Sequence, residues 1–171
     1  MTKPAAGMCT TALTAQFDGT ETAEFIQTPE SIEVRVAGIT GNHSMKIADF
    51  FQELWPQSFG LPVGSLKDFL AASPYQDSQK IAEYLLTGHD IYSVMGSSED
   101  VLGSGKTILG GDSIYTDGDW LWRGDLWFYV RAHHVKLPEE FLTQIRESDY
   151  AVPAENEPQL IEIARYVQEN L

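Results

Sequence analysis

Ten residues, Ser113-Ile-Tyr-Thr-Asp117-Gly118-Asp-Trp-Leu-Trp122, constrain this chain more than any other stretch. Asp-Gly can take the two left-handed positions of a type I′ turn, and apolar or aromatic residues flank it on both arms, so the pattern predicts a β-hairpin. Strand alternation sends Trp120 and Trp122 to one face and Leu121 to the other. An isolated two-stranded ribbon is barely stable in water, so these side chains need other elements to pack against.

Those elements are legible on both sides. After Arg123-Gly124-Asp125, residues 126–134 predict a helix with Asp125 as its N-cap. Leu137-Pro138-Glu139-Glu140 opens another, its acids in the first turn where the macrodipole favours them, with Phe141, Leu142 and Ile145 facing inward. A polar connection over 151–157 leads to a C-terminal helix over 158–170, apolar at Leu160, Ile163, Ala164 and Val167. Upstream, 10–17 and 32–37 read as strands, 18–20 as a turn, 21–30 as a polar connection or weak strand, and 38–44 as a loop. Ile47, Phe50, Phe51 and Leu54 have helical spacing, which predicts a helix over 45–54 stopped by Pro56. Ser65 caps a short helix, and Pro74, with Ser73 as cap, opens one carrying Ile81, Tyr84 and Leu85 up to Gly88. Short β-prone pieces at 91–95, 107–109 and 112–115 lie among Gly-Ser clusters. The expected fold is α+β: a small antiparallel sheet, including the 112–122 hairpin, packed against several helices. Residues 1–9 read as a flexible arm and 10–171 as one domain.

Composition narrows function mainly by exclusion. Eleven basic and 25 acidic residues give a formal charge of -14, the wrong sign for direct binding to nucleic acid or for docking unaided on anionic lipid. At 43% hydrophobic residues the chain can fill a core. Cys9 is the sole cysteine, so no intrachain disulfide forms, and neither a secretion leader nor an 18-residue apolar span is evident. The expectation is a cytoplasmic protein.

No catalytic or cofactor signature survives inspection. Gly105-Lys106-Thr107 ends like a phosphate loop, but Asp100 stands where the first glycine belongs and the sequence after Thr107 reads as strand then turn. Adjacent His133 and His134 diverge by about 100° on a helix and do not chelate together. Asp112, Asp117, Asp119 and Asp125 lack the spacing of a calcium loop. Ser97 and Ser98 are not in a nucleophile elbow. Arg123-Gly124-Asp125 spells an adhesion tripeptide by coincidence. No metal and no cofactor is expected.

The densest unusual feature is aromatic: Trp120, Trp122, Trp127, Phe128 and Tyr129, bracketed by acids. Two readings stand together. The rings form the core where hairpin meets helix, or one or two indoles lie exposed at the centre of an acidic docking face, as interface anchors do.

Thr116-Asp117-Gly118-Asp119-Trp120-Leu121-Trp122, Asp125-Leu126, Tyr129-Val130 and His134-Val135-Lys136-Leu137-Pro138-Glu139-Glu140-Phe141 together resemble uncharacterised small acidic bacterial proteins, largely actinobacterial. Some of these are immunity partners of toxins. The likeness covers roughly residues 65–148 and implies a shared fold unit and an interaction role, with no catalytic residue attached to it. The expected function is non-catalytic: binding another protein, most concretely occluding a basic toxin or nucleic-acid-binding partner. Its anchors would be Trp120, Trp122 and Trp127, surrounded by Asp117, Asp119, Glu139 and Glu140. The alternatives are a small hydrolase or ligand-binding protein with a pocket near His133 or His134, and an assembly or structural component. Oligomeric state is not legible.

Overall fold

The computed structural model describes residues 11–17, 21–27, 32–38 and 41–171, with side chains from Met45 onward. The expected arm at 1–9 and the turn at 18–20 lie outside the described residues. Four strands open the described chain: β1 (Thr11–Phe17), β2 (Glu21–Gln27), β3 (Ile32–Gly38) and β4 (Gly41–Ile47). They form an antiparallel meander whose register aligns Leu13 with Phe25, Phe25 with Val34, and Val34 with Met45. Two single 3-10 turns follow, Gln57–Phe59 and Leu66–Phe69, the second capped by Ser65 as expected.

The remainder comprises α1 (Ser78–Leu86), β5 (His89–Tyr92), β6 (Ser97–Glu99), β7 (Thr107–Leu109), β8 (Ile114–Thr116), β9 (Trp120–Arg123), α2 (Leu126–Ala132), α3 (Glu139–Glu147) and α4 (Glu157–Asn170). One seven-stranded sheet runs β1-β2-β3-β4-β9-β8-β5, and β6 pairs with β7 in a separate ribbon. The β4–β9 pairing is parallel, joining Lys46 to Trp120 and Ile47 to Leu121; the other pairs are antiparallel. The fold is α+β, a small mixed sheet packed against several helices.

Several local expectations need correction. Residues 41–47 form a strand instead of loop, and no helix spans 45–54. The apolar stripe of that segment is real, since Ile47, Phe50, Phe51 and Leu54 are all buried. Its backbone, however, bonds across to β9: Lys46 N–H donates to Asp119 O and Ala48 N–H to Leu121 O, both at 2.9 Å. Sheet pairing thus overrides helical spacing here. Likewise α1 starts at Ser78, four residues beyond Pro74, and Ser97–Glu99 is a strand inside a Gly-Ser cluster. Residues 101–106, including Gly105-Lys106, form the turn of the β6–β7 ribbon.

The 113–122 hairpin exists, but its turn is wider than type I′. Thr116 pairs with Leu121, three residues (Asp117, Gly118 and Asp119) separate β8 from β9, and of the Asp-Gly pair only Gly118 has positive φ, at 103°. Side-chain alternation follows the expected pattern. Trp120 and Trp122 join one buried cluster with Tyr84, Phe141 and Val130, while Leu121 joins the other with Phe51, Trp55, Phe128 and Tyr166. Gly88 is required by close approach: a Cβ there would overlap the Trp122 ring.

Candidate functional site

Four arrangements of polar side chains stand out, three inside the fold and one on its surface. The first surrounds Arg123, carried at the end of β9. Its Nε donates to Asp125 Oδ1 (3.2 Å) and its Nη2 to Asp125 Oδ2 (2.8 Å), a bidentate pair, while Nη1 donates to Leu54 O (2.8 Å). Nη2 also reaches Asp112, which is exposed. Asp49 completes the group from the β4 side, accepting Trp55 Nε1–H (3.0 Å) and Arg123 N–H (3.1 Å). Asp49 and Asp125 are both fully buried. Asp125 therefore does not cap α2 with its side chain, contrary to expectation; its carboxylate is taken by Arg123.

Burial, reinforced by the nearby Asp125 charge, pushes the Asp49 carboxyl from 3.8 up to about 7, against the opposing hydrogen bonds from Arg123 and Trp55. Burial also raises Asp125 and Asp117, with Arg123 pulling Asp125 back and hydrogen bonds from Tyr84 and the turn amides doing so for Asp117. Asp77 and Asp100 are among the acids that move the opposite way, as is Glu53, held down by hydrogen bonds from Ser65 and Leu66 against its burial. Arg146 holds Asp77 down at about 2. Burial works to raise Asp100, but hydrogen bonds from Ser104, Leu102 and His133 outweigh it and hold that carboxyl at about 2. The consequence for stability follows by linkage. Between 3.8 and about 7 the folded chain holds a proton on Asp49 that the unfolded chain has released, so stability falls as pH rises through that window. Asp77 and Asp100 contribute stability that is present above the ordinary aspartate range and lost as pH falls toward about 2. Urea-unfolding midpoints are thus expected to peak near about pH 4–5 and decline toward about pH 7. Asp49→Asn should flatten the decline; a parent midpoint that stays level across that interval would contradict the assignment.

The second arrangement is the hairpin turn. Asp117 Oδ1 accepts the N–H groups of Asp119 (3.0 Å) and Trp120 (2.7 Å), and Oδ2 accepts Tyr84 OH (2.7 Å) and Gln144 Nε2–H (3.0 Å). Thr116 Oγ1 donates to Trp120 O (2.6 Å) and accepts Gly118 N–H (3.0 Å). Asp117 is 5% exposed and belongs to the framework, not to an acidic surface.

The tryptophans divide accordingly. Trp120 and Trp122 are 1% and 0% exposed, and their indole N–H groups are engaged by Gln144 Oε1 (3.1 Å) and Leu85 O (3.0 Å). Neither is available as an exposed anchor: burying a ring of this size with its N–H bonded internally is core packing. Trp127 is half-buried and touches both apolar clusters. Asp119, Glu139 and Glu140 are exposed, but Glu140 pairs with Lys46, whose ammonium also lies 5.3 Å over the Trp120 ring.

The third arrangement pairs His133 with Asp100 at 2.7 Å. Asp100 also accepts Leu102 N–H (2.9 Å) and Ser104 N–H (3.1 Å), so the pair fastens the β6–β7 loop to the end of α2. His134 has φ 57°, and its carbonyl accepts Ala71 N–H. Among the described residues, no group of three or more His, Cys, Asp or Glu side chains is arranged to hold a metal ion, and no helix is long and apolar enough to cross a membrane.

The fourth arrangement is a surface groove of about 340 Å³ between β5 and α4, lined by Asp90, Ile91, Glu155, Glu157, Leu160, Ile161 and Ala164. Glu157, Leu160, Ile161 and Ala164 fall at i, i+3, i+4 and i+7, one face of α4. The core-facing stripe of the same helix is Ile163, Tyr166 and Val167. Neither His133 nor His134 lines the groove. None of the residues expected as interface anchors lines it either. One signal in the sequence pointed there: Ile161 is apolar yet lies off the core-facing stripe, and it is 53% exposed.

Comparison with protein-family models, with curated proteins and with solved structures finds no match for this chain.

Proposed function

We propose that this protein works without turnover, by binding a basic protein and covering its surface. Its most concrete form is an inhibitor or immunity partner of a basic toxin or nucleic-acid-binding protein, in keeping with the likeness to small acidic bacterial proteins. The observation that carries the reading is the distribution of acids. Asp49, Asp100, Asp117 and Asp125 are buried and spent on internal hydrogen bonds. From Glu147 to Glu157 the chain exposes Glu147, Asp149, Glu155 and Glu157, with no Lys or Arg between Arg146 and Arg165. Such a field accelerates encounter with a positively charged partner and repels nucleic acid.

The test is capture by the immobilised full chain from a lysate of the source cells, at low and at high salt. The expected result is a basic protein that is retained at low salt, released at high salt, and prevented by the chain from binding nucleic acid. Retention of nothing basic, or retention unaffected by salt, would overturn the reading.

A further inference from the structure

We infer that the groove between β5 and α4 receives a long cationic side chain, lysine or arginine, presented by an extended segment of the basic partner. The inference rests on the binding function proposed above and specifies where that partner is held. The groove has two chemistries. Ile91, Leu160, Ile161 and Ala164 supply an aliphatic surface, and Asp90, Glu155 and Glu157 supply carboxylates. Among the described residues no Lys or Arg lines it. Asp90 accepts Ser93 Oγ–H, and Glu155 stands 3.8 Å from His89 Nδ1, whose ring is tied through Nε2 to Pro153 O (2.9 Å). The His89 contact thus anchors the 153–155 segment against β5.

An aliphatic floor beside carboxylates is the complement of lysine and arginine, which lay methylene stems on apolar surface and keep a charged head at a polar edge. The volume, about 340 Å³, is at the small end of ligand sites, so it accommodates protruding side chains from a strand or loop and not a folded face. A second copy of this chain is a poor occupant, since each copy carries -14.

The experiment is a methyl-detected NMR titration of the full chain. The probe is a capped heptapeptide alternating lysine and leucine, with the glutamate–leucine counterpart and spermidine as separate arms. The lysine peptide is expected to shift the methyl signals of Ile91, Leu160, Ile161 and Ala164, and the glutamate peptide to leave them in place. Asp90→Asn with Glu157→Gln, both exposed positions, should weaken the lysine peptide about tenfold. Asp68→Asn with Glu99→Gln, exposed acids away from the groove, should leave its affinity unchanged. Shifts that map elsewhere, or affinity indifferent to the groove pair, would overturn the groove while a salt-sensitive basic partner in the capture experiment keeps the broader reading. Spermidine occupying the groove as tightly as the peptide would overturn a protein segment as the occupant. Absence of both peptide binding and a captured basic protein would overturn groove and function together.

Discussion

Arg123→Met is expected to lower stability by about 3–5 kcal/mol, the range for removing one partner of a buried ion pair. Methionine fills much of the same space, so lost volume is not the cause. The substitution leaves Asp125, fully buried, with Ser98 Oγ at 3.4 Å as its remaining side-chain donor, and it frees the Leu54 carbonyl of its guanidinium partner. Restoring charge balance supplies the control. Arg123→Met combined with Asp125→Leu removes both ions and should recover most of the loss, because the penalty lies in the uncompensated carboxylate. Urea unfolding followed by tryptophan fluorescence measures both variants. A single-variant loss below about 1 kcal/mol, or no recovery in the double variant, would remove the buried pair from the account of stability.

Asp117→Ala is the second large effect, expected at about 3 kcal/mol. One carboxylate satisfies four donors: the amides of Asp119 and Trp120, the Tyr84 hydroxyl and the Gln144 side-chain amide. Each donor left buried without an acceptor costs about 1 kcal/mol or more, though the Asp119 amide can turn to water. Asp117→Asn should lose less. Its Oδ1 can still accept both turn amides, and the Tyr84 hydroxyl can rotate to accept from the new amide. The same unfolding measurement separates the two, and an alanine variant within about 1 kcal/mol of the parent would contradict the role given to this turn. Neither substitution touches the groove.

Where local chemistry decides conformation, the sequence was readable. The alternation of Trp120, Leu121 and Trp122, the Ser65 cap, the Leu-Pro-Glu-Glu start of α3 and the C-terminal helix all rest on short-range rules, and each stands in the structure. Where a distant strand supplies the hydrogen bonds, it was not. Residues 45–54 have helical spacing, yet Lys46 and Ala48 bond to residues more than seventy positions away. The Asp-Gly pair signalled a hairpin correctly but not its three-residue connection, because the Asp117 carboxylate takes the Trp120 amide that a tighter turn would give to a backbone carbonyl. Exposure was the hardest property to read. Nothing local distinguishes a tryptophan at a protein surface from one whose N–H meets Gln144 or Leu85. The groove was hidden for the same reason: Ile91 and Asp90 lie on β5, far in sequence from α4, and only the fold brings them together.

The division of neighbouring side chains on β9 has a further consequence. Trp120 and Trp122 belong to one apolar cluster and Leu121, between them, to the other. A three-residue stretch of backbone is therefore a wall shared by both. Neither cluster can open by sliding or fraying this strand without exposing the other, so the helices around Tyr84 and Phe141 and the aromatic group around Trp55 and Tyr166 are bound into one cooperative unit. Damage to the Arg123 group, beside one cluster, and to the Asp117 turn, beside the other, accordingly registers in the same unfolding transition.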